Sequence, residues 1–568
     1  MINIIFFDFE VFKYDWMVVL KNPQTRDRTV IVNDSEQLTE YYYKNKDDIW
    51  CGYNSRSYDQ FILKAILLGY DPKTVNDWII VKGQSGWQFS PLMNKYPLLN
   101  YDVMTSMHSL KQLEGFMGGS IKETSVPFDI DRKLTPQEIA DTVEYCEHDV
   151  DKLIEVFIER IDDFNSAVDL IRTFNLPWTC ISKTKAQMSA IILDCVKQTR
   201  NDEWDISIVD TLRLSKYDFV REWFLNNRGD YSKSLTAMVA GIPHQFGWGG
   251  LHGAREKYHG SGLILHVDVN SYYPSLMIEY GLLTRNCQEP QKFKEIYDKR
   301  LSLKREGKKK EQAPYKIVLN ATYGICKDKY SLAYDPRQAN NVCINGQLLL
   351  LDLIEKLEAI EGFELIQSNT DGLIVKIPNT DQAFEQADDI CYEWEQRTRM
   401  GLSFDFIDRI VQKDVNNYIF IDDKGGIERK GAYVKKTHSL DNDMPILNKA
   451  LVDYIVFGVP IETTINGCDE LIQFQKIVKV SSKYLAGVYN GEILTDRTFR
   501  VFASTDERDG YIGKIKAIGA TVEKFANTPD NCFILNGDVR GVKIPPRLDK
   551  QWYIDLAKKR LRDYGVMV

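Results

Sequence analysis

Two acidic residues at the ends of β-type segments, far apart in the chain, constrain the fold most. The apolar run 263–267 predicts a buried strand that ends at Asp268. Asp371 and Gly372 stand between two further β-type runs, and an Asp-Gly pair in this setting is a strong hairpin signal. A strand-end carboxylate beside a hairpin-tip carboxylate is what a two-metal phosphoryl-transfer site requires. Taken singly, each acid has a simpler explanation as a turn or strand-end residue, so the interpretation needs a third element.

A helix face between the two acids supplies this third element. Lys316, Asn320 and Tyr323 follow at helical spacing and share a face, and Gly324 is predicted to end their helix. The lysine could neutralise a triphosphate, and the aromatic ring could contact a base. By itself, such a stripe is more often a solvated helix face.

In this order and spacing, the three elements resemble motifs A, B and C of the family B DNA polymerases. Motif A of the family reads DxxSLYPS, and this chain has Tyr272 in place of the leucine; motif B, KxxxNxxYG, is matched in full. In motif C, Asn369 stands where the family has the first acid of Asp-Thr-Asp. The resemblance therefore implies a polymerase site with one negative charge fewer, and weak synthesis if both acids are needed.

The resemblance implies a role for each motif residue. Asp268 and Asp371 would bind two Mg²⁺ ions, or Mn²⁺ in their place, with help from the backbone carbonyl of Val269. Tyr273 would pack under the incoming sugar and exclude a 2′-hydroxyl. Lys316 would bind the triphosphate of the nucleotide. Asn320 and Tyr323 would line the pocket of the nascent base pair.

A second group of acids lies near the N-terminus. The segment 3–12 is strand-like, and Asp8 and Glu10 project from one face because they are two residues apart. Adjacent carboxylates repel each other unless cations bind between them. An edge strand that shows charge to solvent is the alternative explanation. Two later segments favour a metal site: Asp59 opens an apolar helical run, and Asp149 lies on a helix whose start is predicted by a capping box at Thr135.

The order Asp-x-Glu, Asn-x-x-x-Tyr-Asp, Tyr-x-x-x-Asp resembles the three motifs of DnaQ-like 3′–5′ exonucleases. This resemblance implies a second two-metal site, held by four carboxylates: Asp8, Glu10, Asp59 and Asp149. Tyr145, on the same helix face as Asp149, would orient the attacking water, and Asn54 and Tyr58 would hold the frayed 3′ strand. Asp102 is a weaker candidate for a supporting role, and Lys111 is a weaker one still, better explained as a surface lysine.

Two segments on either side of motif A are candidates for phosphate or base contacts. The run 291–305, a basic tip and the motif B helix predict a helical hairpin, on which Arg300 and Lys304 could join Lys316 at the triphosphate. Before motif A, a glycine-dense loop contains Trp248, Gly249 and Gly250, whose amides could approach phosphates while the indole stacks on a base. An inter-domain turn explains this loop equally well.

Primer contacts are expected after motif C. Tyr418 lies where the family has a Lys-x-Tyr primer contact, although Asn416 replaces the lysine. Lys430 belongs to a following Lys-Gly element and could contact the duplex backbone, which would make binding salt-dependent.

The motif order predicts an α/β multidomain fold, with an RNase H-like exonuclease domain followed by a right-hand polymerase of palm, fingers and thumb. The predicted boundaries are exonuclease 1–175, connector 176–245, palm 246–288 with motif A, fingers 289–328 with motif B, palm 329–440 with motif C, and thumb 441–568.

Composition limits the setting of this predicted enzyme. The chain has 568 residues and a net charge of −9, which suits DNA binding only if a local cleft is basic. Ten cysteines without a CxxC pair indicate a reduced chain without zinc or iron–sulfur sites. The N-terminal apolar segment carries two acids, which argues against a signal peptide. We therefore expect a cytoplasmic monomer with no membrane association, in the host cytoplasm if phage-encoded.

The sequence as a whole predicts a DNA-templated DNA polymerase with a 3′–5′ proofreading exonuclease, of the small type that replicates phage or plasmid DNA. Its expected partners are primer–template DNA, dNTPs and replication accessory proteins, and its expected cofactor is Mg²⁺, two ions in each active site. Two alternatives stay open. The chain could be a 3′–5′ exonuclease with a weakened or inactive polymerase module, or a non-catalytic DNA-binding factor built on the same fold.

Overall fold

The computed structural model describes residues 3–567 and has a mixed α/β architecture with several sheets. In chain order, the strands are β1 Ile4–Val11, β2 Trp16–Asn22, β3 Asp27–Val32, β4 Ile49–Gly52, β5 Asn100–Asp102, β6 Leu235–Val239, β7 Ile242–Phe246, β8 His252–Ala254, β9 Tyr258–Val269, β10 Glu364–Asn369, β11 Gly372–Lys376, β12 Leu402–Asp414, β13 Asn417–Asp422, β14 Ile427–Lys430, β15 Lys476–Lys479, β16 Ala486–Tyr489, β17 Glu492–Leu494, β18 Thr498–Ala503, β19 Ile512–Ile515, β20 Glu523–Lys524 and β21 Cys532–Ile534.

The α-helices are α1 Ser35–Lys44, α2 Asp59–Leu67, α3 Pro72–Asn76, α4 Pro91–Lys95, α5 Leu110–Phe116, α6 Pro136–Glu159, α7 Ile161–Thr173, α8 Lys185–Ile192, α9 Asp218–Asn226, α10 Tyr272–Glu279, α11 Pro290–Arg305, α12 Lys309–Lys327, α13 Pro336–Leu357, α14 Asp381–Thr398, α15 Pro445–Phe457, α16 Ile461–Gly467 and α17 Lys550–Asp563. Short 3₁₀ or π segments cover Asp77–Val81, Gly86–Gln88, Trp178–Ser182 and Leu471–Phe474. Of the helices described here, none is long and apolar enough to span a bilayer.

The chain forms two compact units. Unit 1 takes in the chain up to Lys183 together with Thr437–Ile446 and Ile465–Ile554, and unit 2 takes in Thr184–Lys436, Leu447–Thr464 and the chain from Asp555 onward. The range predicted as a thumb therefore contributes to both units. The domain boundaries drawn from the motifs stay a prediction.

Unit 1 is built on a five-stranded sheet in the order β3-β2-β1-β4-β5. β1 pairs antiparallel with β2 and parallel with β4, so β1 lies in the middle of the sheet. Phe7 and Phe9 point into a large apolar core that includes Trp50, as the period-two alternation of a strand requires. On the opposite face Phe6 packs edge-on against Phe157 of α6. Because Asp8 and Glu10 share the parity of Phe6, the strand presents them towards this helix.

The segment 465–554 adds two small sheets to unit 1, in the orders β15-β18-β21 and β17-β16-β19-β20. The fully buried Arg500 joins this segment to the region around α5. Its Nη2 donates to the carbonyls of Gly115 and Gly119 at 3.1 and 2.6 Å, and its Nε donates to Gln475 Oε1 at 2.9 Å. Burial lowers the pKa of this guanidinium to about 10. The hydrogen bonds replace the water that the buried cation has lost.

Unit 2 contains a nine-stranded sheet in the order β14-β13-β12-β9-β11-β10-β8-β7-β6. The long strand β9 lies near its centre and pairs antiparallel with β11 and with β12. The predicted hairpin after residue 363 is confirmed as β10 and β11, and the predicted strand before Asp268 is confirmed as the end of β9. The predicted helical hairpin is confirmed as α11 and α12.

One helix boundary was wrong in the sequence interpretation. Gly324 does not end its helix, because α12 continues to Lys327. A glycine inside a helix costs only about 1 kcal/mol relative to alanine, which tertiary contacts can outweigh. One such contact is present: Lys327 Nζ donates to the carbonyl of Trp248 at 2.5 Å. By contrast, the capping box at Thr135 and Glu138 is confirmed at the start of α6.

Candidate active sites

Four carboxylates of unit 1 gather around the middle of β1. Glu10, Asp59 and Asp149 are buried, and Asp8 is half-buried. Asp59 opens α2, and its Oδ1 accepts a hydrogen bond from the Phe9 amide at 3.3 Å, which fixes it beside the strand. Asp149 comes from α6, the helix that faces Asp8 and Glu10. The structure thus brings together all four acids that the sequence assigned to one site.

The electrostatics of this cluster are unfavourable without a counter-charge. Burial raises the pKa of Asp8 well above its usual value, and the charges of Asp59 and Glu10 raise it further. Burial likewise raises the pKa of Glu10, and it raises that of Asp59 to about 7. A folded protein retains such a cluster at a cost in stability, unless cations offset the repulsion.

The donor set of the cluster fits a hard divalent cation. Ligand atoms of Asp8, Glu10 and Cys146 lie within 4.8 Å of one another, as do those of Glu114, His148 and Asp149. Carboxylate oxygens are the ligands that Mg²⁺ prefers in proteins. Cys146 is occupied otherwise, because its thiol donates to the Asp8 carbonyl at 3.3 Å. We therefore take the carboxylates of Asp8, Glu10, Asp59 and Asp149 as the groups that could hold Mg²⁺.

Lys111 was misjudged from sequence as a surface residue. Its side chain is only 12 % exposed, and its ammonium forms an ion pair with Asp149 and a second with Glu114 Oε1 at 3.1 Å. The same Nζ lies 4.6 Å from the centre of the Tyr145 ring. Lys111 therefore supplies the positive charge inside the acidic cluster. The error arose because the position of α5 depends on contacts such as those of Arg500, which no local pattern reveals.

The residues predicted to hold a 3′ strand lie on the loop before α2. Asn54 is exposed and adopts a left-handed backbone conformation, with φ of 60°. The loop is held by Asp102, whose carboxylate accepts from the amides of Asn54 and Arg56 at 2.9 and 3.0 Å, in line with the supporting role expected for it. Tyr58 is half-buried and donates to Asn76 Oδ1 at 2.8 Å. The strand-holding roles of Asn54 and Tyr58 stay predictions.

The raised pKa of Asp59 predicts a pH-dependent stability in the absence of cations. A carboxyl whose folded pKa is above its unfolded value stabilises the fold at low pH, and this contribution is lost as pH rises from about 4 through about 7. In chelator, we expect Asp59→Asn to melt about 2–4 °C above the wild type at pH 8 and at the same temperature at pH 4. Thermal unfolding of both proteins across this pH range tests the expectation. An equal difference at every pH would contradict it.

In unit 2, strand register brings Asp268 next to the hairpin tip. Asp268 is paired with Gly372 across β9 and β11, and the Val269 amide donates to the Asp371 carbonyl at 2.8 Å. A Cβ atom on residue 372 would lie 3.0 Å from Asp268 Oδ1. Because glycine has no Cβ atom, the Asp268 carboxylate can lie against residue 372. Thr370, in the turn, adopts φ of 47°. The turn therefore holds Asp371, which is exposed, close to Asp268.

Charge repulsion is again evident between the two acids. Burial raises the pKa of Asp268 to about 7, with further contributions from the charges of Asp371 and Asp405, while the Lys304 ammonium lowers it. The pKa of Asp371 is raised too, because surrounding protein displaces water from its carboxylate; Lys430 acts in the opposite direction. As in unit 1, this arrangement suits a divalent cation.

Asp405 is a third acid of this site that the sequence interpretation missed. β12 pairs with β9 so that Ser403 lies opposite Asp268 and Asp405 lies opposite His266. Directly paired residues share a face of the sheet, and so do residues two apart on one strand. Asp405 is therefore a diagonal neighbour of Asp268 on the same face. Only the register of β12, which depends on the folded sheet, could have revealed this.

The helical hairpin α11–α12 carries the predicted cations. Arg300 is 8 % exposed, and its Nη1 donates to Ser271 Oγ at 2.5 Å, just before α10. Among the described residues Arg300 has no carboxylate partner, and burial lowers its pKa. Lys304 is close enough to Asp268 to influence its titration, while Lys316 is exposed on α12. Arg300 is thus a buried cation that no acid among the described residues neutralises, and it contacts Ser271, which follows Asp268 closely in the chain.

Two tyrosines meet between α10 and α12. The rings of Tyr273 and Tyr323 have their centres 4.5 Å apart, and both side chains are half-buried. Tyr272, which replaces the leucine of motif A, is buried and donates to the Gly346 carbonyl at 2.6 Å. Its hydroxyl is therefore satisfied in the core. Asn320 is exposed on α12, one turn before Tyr323.

The glycine-dense loop before motif A contacts the hairpin tip. The Thr370 amide donates to the Leu251 carbonyl at 2.8 Å, and a Cβ atom on Gly250 would collide with the Thr370 side chain. Gly249 has open space where a side chain would begin. Trp248 differs from its predicted role, because its ring is only 8 % exposed. It packs edge-on against three aromatic rings and has no open face for a base: Trp204, Phe224 and Tyr231.

Tyr418 and Lys430 are neighbours on β13 and β14. Register pairs them directly, and Lys430 Nζ lies 5.8 Å from the centre of the Tyr418 ring. Tyr418 is 6 % exposed and its ring stacks on Phe420, so a primer contact could involve only its edge. Lys430 faces the site closely enough to lower the pKa of Asp371.

The likeness of this chain to known proteins is found among solved structures. No protein-family model matches the chain, and no curated protein matches it. Among solved structures, the chain is similar to the family B DNA polymerase from the hyperthermophilic archaeon Pyrobaculum calidifontis. The two are 13 % identical, the match covers 100 % of this chain and 78 % of that chain, and the TM-score is 0.44. A functional assignment therefore depends on the geometry of the two sites.

Proposed function

We propose that the chain is a DNA-templated DNA polymerase with a 3′–5′ proofreading exonuclease, and that it replicates phage or plasmid DNA. One observation carries the proposal: Asp268 lies between the hairpin tip of Asp371 and the acid Asp405, and the buried Arg300, which pairs with no acid among the described residues, contacts Ser271 shortly after Asp268. A nucleoside triphosphate with its metal ions requires carboxylates that bind the metal ions and a cationic side chain that binds the phosphates.

The sheets of the two units support an exonuclease site in unit 1 and a polymerase site in unit 2. In unit 1 the order β3-β2-β1-β4-β5, with β4 and β5 parallel to their neighbours and β2 and β3 antiparallel, is the order expected of an RNase H-like exonuclease. In unit 2 we assign the antiparallel sheet around β9 to a palm and the helical hairpin α11–α12 to fingers. On this assignment, right-hand polymerase architecture follows an exonuclease domain along the chain.

In the polymerase site, the residues present would bind and orient both substrates. Arg300, Lys304 and Lys316 would hold the triphosphate, so that the primer 3′-oxygen attacks its α-phosphorus in line. Tyr273 would pack under the sugar, with Asn320 and Tyr323 beside the base. Two Mg²⁺ ions on Asp268 and Asp371, with the Val269 carbonyl, would supply activation of the attacking oxygen and stabilisation of the leaving one.

In the exonuclease site, the terminal phosphodiester would be hydrolysed. Mg²⁺ held by Asp8, Glu10, Asp59 and Asp149 would supply an activated water there. The Tyr145 hydroxyl, adjacent to Asp149, would orient the attacking water, and Asn54 and Tyr58 would hold the strand. Lys111, in contact with Asp149, would stabilise negative charge that develops on the phosphate.

A second candidate function follows from the hairpin tip. Asn369, at the end of β10 and paired with Gly372, replaces an acid, and this favours a 3′–5′ exonuclease whose polymerase module is weakened. Asp405 argues against this alternative, because it supplies a third carboxylate on the other side of Asp268.

Primer extension distinguishes the two functions. A 5′-labelled primer–template is incubated with Mg²⁺, with and without the four dNTPs, using the wild type and an Asp8→Asn/Glu10→Gln variant that unmasks synthesis. The proposal expects extension with dNTPs and shortening by the wild type without them. Shortening alone, with no extension by the double variant, would establish the nuclease alternative. Neither reaction at any Mg²⁺ or Mn²⁺ concentration would exclude catalysis.

The position of Asp405 predicts a measurable contribution to synthesis. We expect Asp405→Asn to lower single-turnover incorporation about 10-fold, because one negative charge is lost beside Asp268. Asn369→Asp in the same chain should recover part of this loss by adding a charge on the opposite side. Asp408→Asn, an exposed change on the same strand, is the control and should leave the rate unchanged. A wild-type rate for Asp405→Asn would contradict the expectation.

A further inference from the structure

Two chain segments of unit 2 that are distant in sequence meet through an isolated β-bridge. The segment after α8 runs antiparallel to the segment between α10 and α11, and Cys195 lies opposite Cys287. The flanking hydrogen bonds run from the Val196 amide to Asn286 and from the Gln288 amide to Asp194, at 2.9 and 3.4 Å. The two cysteines are therefore a non-hydrogen-bonded pair, the kind whose side chains approach most closely.

The thiols of this pair are directed at the same place. Cys287 Sγ lies 3.1 Å and Cys195 Sγ 3.9 Å from the carbonyl oxygen of Leu193. Non-hydrogen-bonded partners in antiparallel strands have Cα atoms about 4.5 Å apart, inside the range of disulfide-linked cysteines. Across the strand pairings of the described residues, no other two cysteines face each other. All cysteines of the chain that are described are free thiols.

The two thiols differ in reactivity. The neighbouring Cys195 side chain lowers the pKa of Cys287; burial acts against this shift, and the Glu289 amide and the Lys292 ammonium add to it. The thiolate is the nucleophile in thiol–disulfide exchange. Both thiols are buried, and the direction of this pKa shift favours Cys287 as the attacking sulfur, with Cys195 completing the bond.

We propose that Cys195 and Cys287 form a reversible disulfide when the protein meets a small disulfide oxidant such as oxidised glutathione. The Cys287 thiolate attacks one sulfur of the oxidant, releasing one glutathione thiolate and forming a mixed disulfide. The Cys195 thiol then loses its proton and attacks the Cys287 sulfur, releasing the second glutathione. Two protein thiols are oxidised and one glutathione disulfide is reduced to two thiols. Excess dithiol reverses the bond.

The place of the bond gives it a mechanical consequence. Cys195 follows α8, which packs against α12, and Cys287 lies in the short segment between α10 and α11, close to the start of α11. The disulfide would link the start of the helical hairpin α11–α12 to the segment that follows α8. We therefore expect oxidised protein to melt at a higher temperature than reduced protein, by a few degrees, since the bond restricts the unfolded chain.

Peptide mapping of the full chain tests the proposal. Protein is incubated with oxidised glutathione, free thiols are alkylated under denaturing conditions, and the non-reduced digest is analysed by mass spectrometry. We expect a peptide pair linked through Cys195 and Cys287, two hydrogens lighter than the sum of its parts, which dithiothreitol separates. Cys468 is the one half-exposed thiol among those described. A glutathione adduct on Cys468 serves as the control that the oxidant was active.

Single substitutions give the order of events. Cys195→Ser should trap a glutathione adduct on Cys287, whereas Cys287→Ser should leave Cys195 unmodified. Cys326→Ser, which removes another buried thiol near the pair, is the matched control and should still form the bond. The proposal is overturned if Cys468 is modified while Cys195 and Cys287 both stay alkylated, or if Cys287 is linked to a cysteine other than Cys195. The wild-type result decides even if a variant folds poorly.

Discussion

Asp371→Asn should reduce nucleotide incorporation by at least about 10³-fold while leaving 3′-end shortening at the wild-type rate. The amide keeps the shape of the side chain and removes the charge that a divalent cation needs at the hairpin tip, and loss of such a ligand costs several kcal/mol in the transition state. Asp268→Asn should behave in the same way, because the register places it next to Asp371. Single-turnover incorporation of one dNTP on a primer–template measures the effect.

A matched substitution separates this charge effect from a loss of folding. Asp388 is an exposed residue of α14 in the same unit, and Asp388→Asn should incorporate at the wild-type rate. If Asp371→Asn and Asp388→Asn gave the same rate, the polymerase site would lie elsewhere. If both lost incorporation together with their thermal transition, the result would report on folding.

Glu10→Gln combined with Asp8→Asn should reduce removal of the 3′ nucleotide by at least about 10³-fold and leave incorporation intact. These two carboxylates come from one strand and face the helix that carries Asp149, so the double change removes half of the acidic cluster. Single-turnover release of the terminal nucleotide from a 3′-labelled single strand provides the measurement.

The control for this experiment comes from α6 itself. Asp151 is two residues after Asp149, but its side chain is 52 % exposed and pairs with Lys21. Asp151→Asn should therefore shorten the strand at the wild-type rate. A double variant that still removed nucleotides at that rate would show that the acidic cluster of unit 1 has another purpose.

What the sequence predicted well is what local physics decides. The hairpin at Asp371-Gly372, the capping box at Thr135 and the alternation that places Asp8 beside Glu10 all depend on neighbours within a few residues. The gathering of acids at the two candidate sites followed from these elements together with motif order.

What the sequence could not reveal depends on distant partners. Asp405 joins the site through the register of β12, and Lys111 through the position of α5. Trp248 was a candidate for base stacking in a glycine-dense loop that an inter-domain turn explained equally well, but aromatic residues remote in sequence enclose its ring. A glycine such as Gly324 is typical of a helix end, yet α12 continues past it because a residue of its last turn, Lys327, makes a tertiary contact. Long-range register and burial decided each of these cases.

The contacts of Arg500 bear on the order in which the protein becomes functional during synthesis. The carbonyls of Gly115 and Gly119, close behind Lys111, receive their donors from a residue that the ribosome adds nearly four hundred positions later. The Val539 amide, later still, donates to the Gly118 carbonyl at 2.9 Å. A nascent chain that ends at Lys183 has the four carboxylates but lacks these donors, so the loop that positions the cluster's lysine is not yet held. On the proposed function, we therefore expect an isolated fragment of residues 1–183 to remove 3′ nucleotides more slowly than the full chain does.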